Sequence, residues 1–271
     1  MNKLALITGW TSWIWEEFAN QLAKQSYDIV IVWRNELRGL EICGWLENKY
    51  WIKCQLLIAD LAKKDWLKIV EDYIESLHSL DFLINGAGFG FPEDFLDGDI
   101  QKWENMIFVH NTVTMRLSYI AGKIMRKNNA WNIINISSLA SFLRVGDPIY
   151  ASTKAFMRYF SLNIHYDWKK YWIYVQALCP GFVKTNFFAN AWVDKIPQLW
   201  LLDTNQVVKT SLKYAKRKKA ICVPWFISKC LKILLQIMPN SLAYKIAKKS
   251  FNQKNSPTLV VGGQMTINTK L

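Results

Sequence analysis

Glycine is scarce in this chain. Twelve glycines in 271 residues make about 4%, against roughly 7% in an average protein. A fold that turns at many glycines is excluded unless something else stands at its turns. No apolar run reaches the ~18–20 residues of a spanning helix, so a membrane-spanning protein is not expected. Met1-Asn2-Lys3 runs directly into an apolar segment, with no charged-then-apolar leader. The five cysteines, at 43, 54, 179, 222 and 230, are odd in number and lack metal-ligand spacing. Reduced thiols and no metal site are expected, and these absences together point to a cytoplasmic protein. Acid is missing from the last quarter. Residues 204–271 hold 13 Lys and Arg and no Asp or Glu, so the whole net charge of +13 sits there. Such asymmetry suits an anionic partner surface, or solubility alone; both readings stay open, and a nucleic-acid partner is not expected.

What is present is a regular alternation. Apolar runs at Leu4–Thr8, Asp28–Val32, Gln55–Ala59, Asp81–Asn85, Ile133–Ser137 and Ile173–Cys179 read as short buried strands. Ala220–Pro224 is a candidate seventh. Helix-length stretches at about 14–25, 35–49, 63–77, 100–127 and 150–170 separate the first six. Strand–helix alternation with continuous apolar strands predicts an α/β fold: a doubly wound, mostly parallel sheet covered on both faces. The length fits one domain. Residues 1–203 form its main body, and 204–271 form a basic, amphipathic helical extension that completes it.

The ends of the predicted strands carry the chemistry. The first runs into Thr8-Gly9-Trp10-Thr11-Ser12-Trp13-Ile14-Trp15. In a doubly wound sheet this turn meets a pyrophosphate at a helix N-terminus, so Gly9, Thr11, Ser12 and Ile14 are candidate contacts. The second ends at Val32-Trp33-Arg34, where a basic residue suits the 2′-phosphate of NADP and an acidic one the ribose of NAD. The third ends Ala59-Asp60-Leu61, and the fourth gives Asn85-Gly86-Ala87-Gly88. Next come Ser137-Ser138, Tyr150-Ala151-Ser152-Thr153-Lys154 and Pro180-Gly181-Phe182-Val183-Lys184-Thr185. The spacing Tyr-x-x-x-Lys alone says little, because it recurs at Tyr119/Lys123, Tyr166/Lys170, Tyr214/Lys218 and Tyr244/Lys248. Only Tyr150 opens a helix twelve residues after a strand-ending serine pair, with a strand and a Pro-Gly turn to follow.

Taken together these segments resemble the short-chain dehydrogenase/reductase family over about residues 3–190, with thinner similarity to about 250. The resemblance implies a Rossmann-like fold and hydride transfer between a nicotinamide cofactor and a carbonyl or alcohol. Tyr150 is then the acid–base. Ser138 orients the substrate oxygen, and the Lys154 ammonium together with the nicotinamide charge favours tyrosinate; Lys154 also holds the nicotinamide ribose. Asp60 and Leu61 would lie beside the adenine. Asn85, Ala87 and Gly88 would let the cofactor cross the sheet edge, and Pro180, Gly181, Val183 and Thr185 would wrap its nicotinamide end. Arg34 points to NADP(H) rather than NAD(H). The family's usual catalytic Asn falls on His110, with Asn111 beside it; His110 is either a proton-relay residue or a histidine that merely packs. The serine-to-tyrosine gap is one residue short of the family's, which leaves Ser137 beside Ser138 as the orienting serine. A small apolar substrate, acyl or steroid-like, and a homodimer or homotetramer through the helices at 100–127 and 150–170 are also implied. A non-catalytic relative of the same fold is the competing reading, because Trp13 and Trp15 occupy two glycine positions of the pattern Thr-Gly-x-x-x-Gly-x-Gly.

The last quarter alternates apolar and basic faces over Phe226–Met238 and Ser241–Phe251. Such helices cap a pocket or a partner subunit, or rest on an anionic membrane. Finally, fourteen tryptophans are many for this length. Trp13 and Trp15 replace fingerprint glycines, and Trp51, Trp131, Trp172 and Trp225 stand beside strands where a turn glycine is common. A gene in which UGA means glycine, translated by a code in which it means tryptophan, produces this pattern.

Overall fold

The computed structural model describes residues 3–9, 13–91, 93–128, 131–143, 147–183, 201–242 and 245. Seven strands form one sheet in the order β3-β2-β1-β4-β5-β6-β7, and every pairing is parallel. They are β1 (Lys3–Thr8), β2 (Tyr27–Trp33), β3 (Cys54–Ile58), β4 (Phe82–Asn85), β5 (Trp131–Ile136), β6 (Ile173–Leu178) and β7 (Ile221–Cys222). The order reverses direction between β1 and β4, which makes their carboxyl ends the crevice where such sheets bind ligands.

The helices are α1 (Trp13–Ala23), α2 (Glu36–Tyr50), α3 (Lys64–Ser76), α4 (Ile100–Ile107), α5 (Thr114–Asn128), α6 (Tyr150–Trp168), α7 (Thr204–Lys216) and α8 (Phe226–Ile237). Strand side chains alternate between two layers. Ala5 and Ile7 of β1, with Ile29 and Ile31 of β2, pack against Phe18 and Leu22 of α1, Leu46 of α2 and Val207 of α7. Leu6, Val30 and Val32 point the other way, against Val70 and Ile74 of α3 and Leu117 of α5. Burying a side chain such as Phe18 or Leu22 contributes about 1.5–3 kcal/mol, so the two layers fix the register of the sheet. The expected single helix at 100–127 is instead two, joined by a π-helical turn over Phe108–Val113. Such turns occur mostly as local bulges, often at functional sites.

Backbone conformation singles out the tryptophans. Among the described residues, five that are not glycine have positive φ: Ser26, Trp51, Trp172, Lys218 and Trp225. Trp51 caps α2 in the left-handed region at φ 58°, ψ 37°. Trp172 does the same before β6, at φ 62°, ψ 21°. That region costs a side-chain-bearing residue about 1–2 kcal/mol.

Candidate active site

The site is assembled from the carboxyl ends of β1, β4, β5 and β6. Buried Thr8, at the end of β1, accepts hydrogen bonds at Oγ1 from the Gly86 and Ala87 amides, at 3.1 and 3.2 Å. The bonds fasten the turn after β4 to the first strand. A Cβ on Gly88 would come within 2.9 Å of His110 Nε2 and 3.4 Å of Lys154 Nζ, so only glycine lets these three elements meet.

Tyr150 opens α6. The Asp147 carboxylate accepts from the amides of Ile149 and Tyr150 and caps the helix. Lys154, one turn on, is 5% exposed. Its Nζ donates to the Ile136 carbonyl at 2.9 Å and lies 5.7 Å from the centroid of the Tyr150 ring. Ser138 begins the 3-10 turn Leu139–Phe142 and hydrogen-bonds the Tyr150 hydroxyl. Ser137 is engaged elsewhere, since its hydroxyl donates to the Lys154 carbonyl at 2.7 Å. The serine beside the tyrosine is therefore Ser138.

The electrostatics of the protein's own residues run against tyrosinate. Burial pushes the Tyr150 hydroxyl up to about 12, against a smaller lowering by the Ser138 hydrogen bond. Burial also pulls the Lys154 amine down to about 7. Lys154 is thus only partly charged near neutrality and turned toward a backbone carbonyl, and the protein's own residues do not favour tyrosinate.

His110 lies fully buried in the π-helical turn. The Phe89 amide donates to its Nε2 at 3.1 Å, so Nδ1 carries the proton and donates to Thr153 Oγ1 at 2.8 Å. The Thr153 hydroxyl donates to the Tyr150 carbonyl at 2.9 Å. Burial first, then nearby Lys154, holds His110 well below the usual histidine range. Both ring nitrogens are in use, which leaves none for a proton relay; the imidazole ties the turn after β4 to the first turn of α6. Asn111 has a buried Oδ1 with no hydrogen-bond partner.

The remaining expected contacts are dispersed. Arg34 is exposed at the end of β2, and Asp60, half-buried, accepts from the Ala62 amide through Oδ1 at 3.2 Å. Leu61, Ala87 and Ile14 are buried. Asn85 donates through its side-chain amide to Asn135 at 2.8 Å and Ser118 at 3.1 Å, and its buried Oδ1 has no hydrogen-bond partner. The Pro180 carbonyl accepts from the Leu139 amide at 2.8 Å, and Val183 bridges to Leu202. Gly181 faces Ser228 of α8, whose Leu231 and Leu235 pack on Leu139 and Phe142 beside the site. The inner face of α8 thus caps this end of the sheet. Thr11, Ser12 and Thr185 lie outside the described residues, as does most of Ser241–Phe251. Sequence reasoning missed Asp147 and the bonding roles of Thr8 and Thr153 inside their motifs, because these rest on side-chain bonds to backbone that spacing does not reveal.

A nicotinamide cofactor fits one end of this crevice and not the other. Around Ser138, Tyr150, Lys154 and Gly181 small and polar groups converge. At the phosphate turn the Trp15 indole, 2% exposed, lies flat against Gly9. A Cβ there would be 2.6 Å from its Cδ2, and the ring sits 4.9 Å from that of Trp33.

Comparison with known proteins agrees with the fold. The profile of the family described as short chain dehydrogenase matches residues 3–195, and the chain belongs to that family. It is 28% identical over 189 residues to a 3-oxoacyl-[acyl-carrier-protein] reductase of Aquifex aeolicus, covering 69% of this chain and 76% of that protein. It is likewise 28% identical to a very-long-chain 3-oxoacyl-CoA reductase of Rattus norvegicus, covering 68% and 61%. A short-chain dehydrogenase from Sphingobium yanoikuyae, solved in complex with NADPH, superposes with a TM-score of 0.77 at 23% identity. That match covers 99% of this chain and all of the other. Among the described residues, no helix is long and apolar enough to cross a membrane.

Proposed function

We propose that the chain is an NADP(H)-dependent oxidoreductase interconverting a small apolar carbonyl compound and its alcohol. The observation that carries this reading is the convergence of Ser138, Tyr150 and Lys154 at the ends of β5 and β6. The nicotinamide supplies or accepts the hydride when bound. Tyr150, protonated at neutral pH, is built to donate to a carbonyl oxygen held by Ser138. Lys154 sits one turn along α6, within reach of a ribose. His110 acts as a positioning residue that fixes the first turn of α6.

Arg34 at the edge of β2 supports NADP(H) over NAD(H), as does the NADPH-bound relative. The two 3-oxoacyl reductases among the relatives support an acyl-type substrate. Exposed Met115, Tyr119, Phe156 and Tyr159 on α5 and α6 suit a homo-oligomer. A cytoplasmic location with peripheral membrane contact fits the outward stripe of α8. There Phe226, Ile233, Leu234 and Ile237 are exposed, while Lys229 lies over the Tyr214 ring and Lys232 over the Phe142 ring, in a region without acidic residues. The second reading, a non-catalytic scaffold, is favoured only by Trp15 lying on Gly9. NADPH titration followed by turnover against a panel of ketones tests the assignment. Turnover that vanishes in Tyr150→Phe is expected. NADPH binding with no turnover of any ketone, in a chain whose phosphate turn is open, would favour the scaffold.

A further inference from the structure

We infer that residues 15, 51, 172 and 225 are glycine positions, and that the cofactor-binding form of this protein carries glycine at all four. Among the described residues no glycine has a positive φ, whereas three tryptophans do. That inverts the normal order: glycine enters the left-handed region freely, and bulky residues there are outliers.

Each position has its own reason. Trp51 is the residue just past α2, where its amide donates to the Glu47 carbonyl at 2.9 Å. Glycine is the usual residue at such a left-handed cap. The side chain is 91% exposed, so no packing holds an indole there. Trp172 makes the equivalent bond to the Lys169 carbonyl at 3.0 Å and is 57% exposed. Trp225 opens α8 at φ 75°, ψ 144°, close to a region that is essentially glycine-only. Position 15 is of another kind. Its backbone is helical, and its buried ring occupies the space over Gly9 beneath the phosphate turn. The third glycine of such a turn exists for close helix–strand packing.

Trp103 provides the contrast. It is 2% exposed in α4, its indole N–H donates to the Phe95 carbonyl at 3.3 Å, and its ring meets Phe91 edge-on. Its backbone is helical and its buried indole N–H is bonded, so neither backbone strain nor exposure argues for glycine there. The inference therefore sorts tryptophans by environment. A codon read as glycine in one genetic code and tryptophan in another accounts for the first group without touching the second. Positions 51, 172 and 225 carry the inference independently of function, and position 15 rests on the cofactor reading above.

Two measurements test it. In recombinant protein, Trp51→Gly and Trp172→Gly should each raise Tm, and each should exceed the matching alanine variant, because alanine also removes the indole but not the backbone conflict. Trp103→Gly should lower Tm. Glycine variants at 51 and 172 that are no more stable than the alanine variants would overturn the assignment. Peptide masses of protein from the cells that encode it give the second check. Glycine at 51, 172 and 225 with tryptophan at 103 is expected, with UGA codons at the first three and UGG at the last. Tryptophan at all four overturns the inference. For position 15, the paired change Trp13→Gly, Trp15→Gly should strengthen NADPH binding at least about tenfold, the scale on which overpacking is felt. If the stability and mass results hold and NADPH still fails to bind, the cofactor reading falls and the glycine assignment stands.

Discussion

The two ends of the ligand crevice are built to different standards. At the β5–β6 end, Ser138, Tyr150 and Lys154 meet, and even the neighbouring hydroxyls of Ser137 and Thr153 are spent on holding α6 in place. At the β1–β2 end, one indole fills the space beside Gly9 that a dinucleotide needs. The Ser138–Tyr150–Lys154 arrangement forms beside a filled turn, because the two ends are fastened by different bonds. Thr8 ties β1 to the turn after β4, while Asp147, Thr153 and the Ile136 carbonyl set the first turn of α6.

The comparison can be broken most sharply at Tyr150. In the chain whose phosphate turn is opened by Trp13→Gly and Trp15→Gly, Tyr150→Phe removes the acid and keeps the ring, so turnover of a reducible ketone should fall by about 10²–10⁴-fold with NADPH affinity nearly unchanged. Tyr119→Phe and Tyr166→Phe should match the parent. A Tyr150→Phe enzyme of full activity would refute the mechanism.

Arg34→Ala probes the opposite end. A charge-assisted hydrogen bond contributes about 1.5–3 kcal/mol, and the exposure of Arg34 argues for the lower figure. On the same Trp13→Gly, Trp15→Gly background, NADPH binding measured by fluorescence titration should weaken by about tenfold, with NADH barely affected. Equal losses for both cofactors would remove Arg34 from cofactor choice.

The pH dependence of stability reads the buried amine of the catalytic end. The folded-state value for Lys154 is about 7, against an ordinary 10.5. Between those values the unfolded chain holds a proton that the folded chain lacks, so stability rises with pH from about 7. Tyr150 at about 12 and Cys179 at about 11 act oppositely once their ordinary values of 10.0 and 9.0 are passed. Chemical denaturation from pH 7 to 9 should thus show a rise of at most ~1.4 kcal/mol per pH unit, absent in Lys154→Met. A parent and variant with the same slope would mean that the amine is not desolvated.

The smallest effect concerns α8, away from both ends of the crevice. Sedimentation with anionic vesicles at low salt, reversed as salt screens the lysines, is expected of its outward stripe. Protein that stays in the supernatant at every ionic strength would leave α8 as a cap over Leu139 and Phe142 alone.

Much of this architecture was legible beforehand because it depends on local pattern. Six apolar runs separated by helix-length stretches specify a parallel sheet wherever both strand faces must be buried, and all six strands form within a residue or two of their expected bounds. Tyr150 stood out by its place after a serine pair, since a helix start beside a strand end is a local arrangement. What the sequence could not decide depends on groups far apart in the chain. Whether Ser137 or Ser138 faces the tyrosine is set by which hydroxyl the Lys154 carbonyl captures. Whether His110 relays a proton is set by the Phe89 amide and Thr153, which take both of its nitrogens. The charge state of Lys154 follows from its burial against β5, which no spacing reveals. Composition and turn position flagged Trp51, Trp172 and Trp225. The folded backbone supplies the physical difference from Trp103, because the sign of φ and the depth of an indole are properties of tertiary structure.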